Sequence, residues 1–374
     1  GPDDESGMND RKNRTQRGGS ALIIALWTIG LLSMLVMSFA LDAMLEGKIN
    51  VYVRQRRQVD YLTQSGIAIA EMLLLDYKNA VATSSKDQET SDKWLQYKLD
   101  LQRGSAHIDR YAIEEGEAEK GVVTVKITSA EANKWPINLL IKSEASDRIW
   151  GNILTVIGLP MEYQEEVIDS WYDWRDEDRI VTGRSGGEDE YYDNLEKPYK
   201  ARNGEISAVS QLEMIKGIRE HPAIYRGGLL NPEEKKDKKE QINIAFGLKA
   251  FFDIYGETVK INVNSADMKV LMTVPGLDGD ELVAGAIVEE RSKGTHKEVS
   301  GDALSESLLF KDWNDLRTRI PDVPMEAQAY LSYAPEKYFE VTVTGEAGGI
   351  AHRIETVAIV ENDKVRYVQW REDP

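Results

Sequence analysis

The chain has 374 residues, enough for two or three domains, and carries 46 basic against 64 acidic side chains for a formal net charge of −18. Such a surface repels phosphate backbones, which argues against nucleic acid as a partner and favours cations or basic proteins. There is no cysteine, so disulfides, thiolate metal sites and cysteine nucleophiles are excluded, and an exported domain would need another stabiliser, such as a bound ion.

Four basic residues (Arg11, Lys12, Arg14 and Arg17) lead into Gly18–Gly19, and from Gly18 to Leu41 no side chain is ionisable. As a helix, Ser20–Leu41 would span about 33 Å, matching a hydrocarbon core of about 30 Å. A secretory signal has a shorter apolar core with small residues after it; here the glycines come first. The basic flank, and the first acids after the run (Asp42 and Glu46), place the chain up to residue 19 in the cytoplasm and everything after about 42 outside. Met8 is the plausible start residue at this end, and residues 1–7 are set aside. Beyond the apolar run, Leu45, Ile49, Tyr52, Val59, Leu62, Ile69 and Leu73 follow a three–four spacing, with Arg56 and Gly66 at the missing steps. One helix over 20–78 is predicted, its first half in a membrane and its second half against a domain.

Residues 105–142 carry strand signals. "AHIDRYAIEE" and "GVVTVKITSA" alternate and are β-branched, a charged turn around Gly116–Gly121 separates them, and "WPINLLIK" follows. The last stretch predicts three strands, roughly 337–345, 350–361 and 364–370, with turns at "GEAGG" and "NDK". Between the two β sections, helical periodicity appears at 146–180, 207–219, 265–273, 279–292 and 312–319. The final strands are short for an independent fold, so the pattern predicts one split sheet with a helical insert. Within the insert, Ile137–Asn138 and Thr155–Leu159 are echoed by Ile261–Asn262 and Thr273–Leu277, the pattern of a duplicated helical unit. "TVPGLDGDELVAGAIVEERSK" resembles a helix-hairpin-helix, with Pro275–Gly276 at the turn and Asp278 or Asp280 as a cap. Such hairpins often bind DNA phosphates through backbone N–H groups, but Asp280, Glu281, Glu289 and Glu290 would repel them, so a structural hairpin or a protein contact is expected.

The segment "DSWYDWRDEDRIVTGRSGGEDEYYDNL" holds eight acidic residues against three arginines between Asp173 and Asp193. Hard oxygen ligands on both sides of a glycine-bearing loop suit Ca²⁺, which takes about 6–8 oxygens. Without an ion, such carboxylates raise each other's pKa or splay apart. The spacing is not that of an EF-hand, and the alternative is a solvated acidic loop. Trp171 and Trp174 are expected to pack in the core rather than stack on carbohydrate. The four histidines (His107, His221, His296 and His352) are scattered, with no metalloprotease, phosphate-loop or nucleophile-elbow motif. Enzymatic activity is not expected.

Gly19–Ser20 followed by "ALIIALW", behind a basic leader, resembles a type IV pilin-like leader. Most pilins carry glutamate five residues after the cut, where this chain has Ile24. That departure, together with "DWRDED", "GEDEYYD", "YKARNGEISAVSQLEMIKGI" and "INVNSA", resembles the K-type minor pseudopilin of the type II secretion system. The resemblance implies an α+β fold: a pilin-like long N-terminal helix packed on an antiparallel sheet, with a large, mainly helical domain inserted between strands. It divides the chain into a leader (8–19), a transmembrane half-helix (20–42), a periplasmic half-helix with the first strands (43–145), the insert (146–335) and the last strands (336–374). Prepilin peptidase would cut between Gly19 and Ser20, or between Gly18 and Gly19, and the new N-terminus would be methylated. Structural Ca²⁺ would be held by Asp176, Asp178, Glu188 and Asp189, with Asp173 and Asp193 as further candidates. The implied protein is a non-enzymatic tip subunit that works with I-type and J-type minor pseudopilins in protein export. It would sit in inner-membrane lipid as a single-pass protein with its C-terminal domain in the periplasm, and would not bind nucleic acid. Two other readings are a tip minor pilin of a type IV pilus or DNA-uptake system, and a membrane-anchored periplasmic hydrolase.

Overall fold

The computed structural model describes residues 13–77, 88–113, 121–131, 133–230, 242–293 and 309–373. Met8–Lys12 of the expected leader, the charged turn at 114–120, and His296 fall outside the described residues. Helix α1 runs unbroken over Asn13–Asp76. Residues 21–54 are exposed on every side, and packing begins only at Gln55. Leu45, Ile49 and Tyr52, expected on a buried face, are therefore exposed. The sheet ends too early to cover them: its last turn, Gly348–Gly349, reaches only the Gln55 side chain. The free stem of 34 residues is about 51 Å long at 1.5 Å per residue.

Five strands form one antiparallel sheet in chain order: β1 Ser105–Ile113, β2 Gly121–Ser129, β3 Tyr338–Ala347, β4 Ile350–Glu361 and β5 Lys364–Asp373. The three C-terminal strands fall where the alternation placed them. Asn362 and Asp363 both have positive φ (49° and 55°), the conformation of a two-residue type I′ turn between β4 and β5. The other half of α1 lies across β2, β3 and β4, burying Leu73 and Leu74 against Val123, Val125, Val341 and Val343, and Val59 and Leu62 against Ala347. At Gly66, a gap in the helix's apolar pattern, strand valines press against the helix: a Cβ there would overlap Val343 Cγ1 and lie 2.6 Å from Val123 Cγ2. Opposite it, a Cβ on Gly345 would lie 2.9 Å from the Val59 carbonyl oxygen.

Helix α2, Gln88–Gln102, has no counterpart among the sequence expectations. It packs on β1 and buries Leu95 and Leu101. The position between them on that face is Lys98, only 1% exposed, whose Nζ lies 3.0 Å from Asp76 Oδ2 at the end of α1. A lysine at a core position breaks the apolar period, which is why the helix is hard to read.

The insert leaves the sheet after β2 and returns at β3, which are neighbours; Ser129 pairs with Phe339, and the Ala130 N–H donates to the Tyr338 carbonyl at 2.9 Å. Its separate core runs from Trp135 to Leu331. "WPINLLIK" belongs to this core and is not a sheet strand. Trp135–Pro136 make a two-residue parallel bridge with Phe252–Asp253, and Ile137–Leu139 form one 3₁₀ turn. Proline removes a ladder donor, and Trp135, Pro136, Ile137 and Leu140 are buried in the insert's core rather than alternating across a sheet. The expected 146–180 helix is two: α3 Glu144–Val156 and α4 Met161–Arg175, parted by Gly158 (φ +83°) and Pro160. After them come α5 Asp189–Asp193, α6 Lys216–Glu220 behind a 3₁₀ turn at Val209–Met214, α7 Ala223–Arg226, α8 Met268–Leu271, α9 Glu281–Ser292 and α10 Trp313–Arg319.

The internal echo is also structural. Asn138 and Asn262 each donate an amide to a distant carbonyl, Ile206 at 3.0 Å and Ala334 at 3.1 Å. Gly158 and Gly276 both have positive φ, and each is followed by a buried leucine, Leu159 or Leu277. In the hairpin, Asp280 caps α9 by accepting from the Leu282 and Val283 N–H groups. Asp278 in the turn accepts from Arg148 Nη2 at 2.6 Å and Asn152 Nδ2 at 2.7 Å, so α3 occupies the place where a DNA-binding hairpin would meet phosphate.

Glu336 sits in the seam between the two cores, 6% exposed. Ser265 Oγ donates to its carboxylate, and the Tyr77 hydroxyl donates to its carbonyl. Burial pushes its carboxyl up to about 7 against the hydrogen bonds from Ser129 and Ser265, with the Glu131 charge adding to the rise. An acid whose folded pKa is raised stabilises most below its unfolded value and loses that contribution as pH rises through 7. Glu336→Gln keeps the acceptor and removes the charge. It is expected to raise the melting temperature at pH 8 and leave it unchanged at pH 5; equal shifts at both pH values would show that the charge is not the cause.

Candidate metal centre

The acidic loop is built on the end of α4. Asp173, in the last turn, points inward and is fully buried; its Oδ1 accepts from the Thr182 N–H at 2.8 Å. Asp176 is the C-terminal cap, where the backbone turns extended. Asp178 accepts from the Ile180 N–H at 2.7 Å, a local turn that sends the chain outward. The loop then returns through Gly186–Gly187 to Glu188, which precedes α5 and is almost fully buried. Asp176, Asp178 and Glu188 each bring a carboxylate oxygen to within 4.8 Å of the others.

Both glycines are needed. A Cβ on Gly186 would overlap Asp173 Oδ2, and one on Gly187 would lie 2.9 Å from Lys216 Cδ. Lys216 holds the loop from the far side, its Nζ donating to the carbonyls of Ser185 at 2.9 Å and Gly186 at 3.1 Å. Neither Lys216 nor Asp169 is among the residues expected from sequence. Asp169 lies one turn before Asp173 on α4, and its Oδ2 is buried without a hydrogen bond; the four-residue spacing of two acids on one helix face is the signal that could have found it.

The electrostatics are those of a site short of positive charge. Asp173 Oδ2, Asp176 Oδ1 and both Glu188 carboxylate oxygens are buried with no hydrogen-bond donor. Burial, then the Asp173 and Asp176 charges, push the Glu188 carboxyl up to about 7. The Asp176 carboxyl is raised by burial and by Asp178, with Lys142 opposing. Orphaned carboxylate oxygens at this depth cost stability unless a cation or protons compensate. A hard divalent cation such as Ca²⁺ would fit this donor set, and Asp176, Asp178 and Glu188 could hold it, with Asp173 behind them. Asp189 and Asp193 do not join. Asp189 accepts from the Ala201 N–H at 3.1 Å and lies 3.6 Å from Lys200 Nζ, and Asp193 also pairs with Lys200. The turn of α5 puts these two on the face away from Glu188.

Trp171 and Trp174 are buried beside the site. The Trp171 indole N–H donates to the Leu140 carbonyl at 3.2 Å, and Trp174 meets Tyr192 edge-to-face at 5.2 Å. Neither presents a ring face to a sugar.

Residues 130–225, which hold α3 to α6 and the whole acidic loop, match the family described as type II secretion system (T2SS), protein K. The fold is similar to that of a chain in the crystal structure of the GspK–GspI–GspJ complex from the type 2 secretion system of enterotoxigenic Escherichia coli. That likeness has a TM-score of 0.50 and 15% identity, and it covers 86% of this chain and 99% of that one. It is a likeness of fold: long N-terminal helix, antiparallel sheet and helical content. No curated protein matches the sequence. Among the described residues, one helix, α1, is long and apolar enough to cross a membrane.

Proposed function

We propose that this chain, which belongs to the type II secretion system protein K family, is a non-enzymatic minor pseudopilin at the tip of the pseudopilus, in complex with other minor pseudopilins of the I and J types. The observation that carries this reading is the free stem of α1. Its apolar side chains from 21 to 54 are exposed all round and find no cover among the described residues. Inner-membrane lipid covers the first part, and the stems of neighbouring subunits cover the rest. A carboxylate at the depth of Ile24 would need a partner in the bilayer; the isoleucine needs none, which suits a subunit with no neighbour above it. The insert adds to this. It joins the sheet where Tyr77 ends the packed half of α1, at the far end from the stem, a position that suits a subunit with nothing stacked on top.

In this reading prepilin peptidase cuts between Gly19 and Ser20, the new N-terminus is methylated, and the folded part stands in the periplasm to support protein export. Ca²⁺ on Asp176, Asp178 and Glu188 fastens the acidic loop to α4. Mass spectrometry of the protein purified from cells tests the processing: a methylated Ser20 N-terminus, lost when the peptidase gene is deleted, is the expected result. An N-terminus still beginning at Met8 in peptidase-competent cells would make α1 a plain anchor and end the pseudopilin reading.

A further inference from the structure

β5 is an edge of the sheet. Among the described residues no strand pairs with its outer side, although β4 pairs along the whole of its inner side. A ten-residue edge is a ready template for another strand unless it is covered or blunted. Here a bulge breaks the register between Val357 and Ala358 on β4, opposite Val368, yet the edge still presents apolar surface, with Val368 41% and Trp370 46% exposed.

Beside this edge, on the α1 side of the sheet, lies a cleft of about 380 Å³. Asp60 on α1 forms one wall, Trp370 and Glu372 on β5 the other, and His352 on β4 the floor. His352 is 7% exposed, and its ring nitrogens face carboxylates on both sides: Nδ1 is 3.1 Å from Asp60 Oδ1, and Nε2 is 3.9 Å from Glu372 Oε2. Neither that Nδ1 nor that Oδ1 makes a hydrogen bond. Arg56 Nε, 3.5 Å from Asp60, is the one basic side chain besides the imidazole that lines the cleft. Two carboxylates, Asp60 and Glu372, thus line the cleft next to an exposed indole.

We infer that this edge and cleft form one docking site for a β-strand of a partner pseudopilin. The strand adds to β5 as a sixth strand of the sheet, and one of its lysine or arginine side chains enters the cleft between Asp60, Glu372 and the Trp370 ring. Main-chain pairing supplies affinity, and the cation over the indole beside two carboxylates supplies selection. The class of partner rests on the reading of function above; the surface and the chemistry of its occupant do not.

The chain has no cysteine, so Val368→Cys introduces a single thiol at the edge. Full-length protein carrying it is co-produced in membranes with I-type and J-type pseudopilins, each bearing single cysteines along its own edge strands, and oxidised. The expected result is a disulfide to one partner. Trp370→Ala should weaken the complex about tenfold, and Asp60→Asn should weaken it and flatten its salt dependence, with the melting temperature of each free variant recorded as a folding check. A complex that forms without the cross-link and is indifferent to Trp370→Ala overturns the site but leaves the functional reading standing. Cross-linking only to a second copy of this chain overturns the occupant. Absence of any complex with either pseudopilin sinks both the site and the partner reading.

Discussion

Adding calcium to the metal-free protein at pH 7.5 is expected to raise its melting temperature by about 5–10 °C. A ligand present at about 100 times its dissociation constant stabilises the folded state by about 2.7 kcal/mol, and a domain of about 150–250 residues moves about 2–4 °C per kcal/mol. The cause is local: four buried carboxylate oxygens of Asp173, Asp176 and Glu188 have no donor in the protein. The pH dependence has a definite sign. With the Glu188 carboxyl raised from 4.5 to about 7, metal-free protein keeps this group's full contribution below pH 4.5 and loses it as pH rises through 7. Calcium needs the ionised carboxylate, so its stabilisation grows over the same range. Melting temperatures in chelator and in calcium should therefore lie close together at pH 5 and diverge by pH 8. Glu188→Gln should abolish the response, and Asp193→Asn, whose carboxylate is paired with Lys200 outside the site, should keep it. Identical melting curves with and without calcium at pH 7.5 would dispose of the site.

Gly66→Val should destabilise the sheet module by about 1–2 kcal/mol. On a free helix the same change would gain a few tenths of a kcal/mol, because glycine is the poorer helix former. Here the new side chain would be driven into Val343 and Val123, which are fully buried and pinned on adjacent strands. Overpacking of this kind costs about 1–3 kcal/mol, and it outweighs the propensity gain. Gly66→Ala should lose less, since one methyl still overlaps but the propensity gain is larger. Hydrogen exchange resolves where the loss falls: amides of β2, β3 and the packed half of α1 should lose protection, while those of α3 and α4 should not. Wild-type protection in β2 and β3 would mean that α1 does not rest on the sheet as described.

What was legible in the sequence follows from how locally each feature is encoded. The strands β2 to β5 alternate because one face is covered by α1, and Asn362–Asp363 states its turn outright. The uncharged apolar run marks the first part of the stem, but not its length: up to residue 54 the apolar spacing looks like a buried face and is exposed. Other features depend on contacts the sequence does not reveal. Lys98 stands at a core position because Asp76 waits at the end of another helix. "WPINLLIK" has strand composition, but its partners lie inside the insert. In the acidic loop, composition picked out the segment and tertiary structure chose among its acids. Asp176, Asp178 and Glu188 meet because the loop doubles back between Asp173 and Lys216. Asp189, next in sequence to Glu188, turns away because one turn of helix begins between them. Gly66 is the instructive case: read as a gap in a pattern, it is where two buried valines leave no room for a Cβ.

The place where the insert is mounted has a consequence of its own. Because Ala130 and Tyr338 are hydrogen-bonded neighbours, the sheet meets the insert as a closed loop of almost no span. β2 and β3 would pair in the same register whether a two-residue turn or an entire domain joined them. The entropy of closing a connection rises only with the logarithm of its length, about 0.6 kcal/mol per doubling, and a loop that folds into its own core escapes most of even that. Away from the seam around Glu336, where Ser265 and Tyr77 meet, the insert can thus be enlarged or reshaped without altering the register in which β2 and β3 pair.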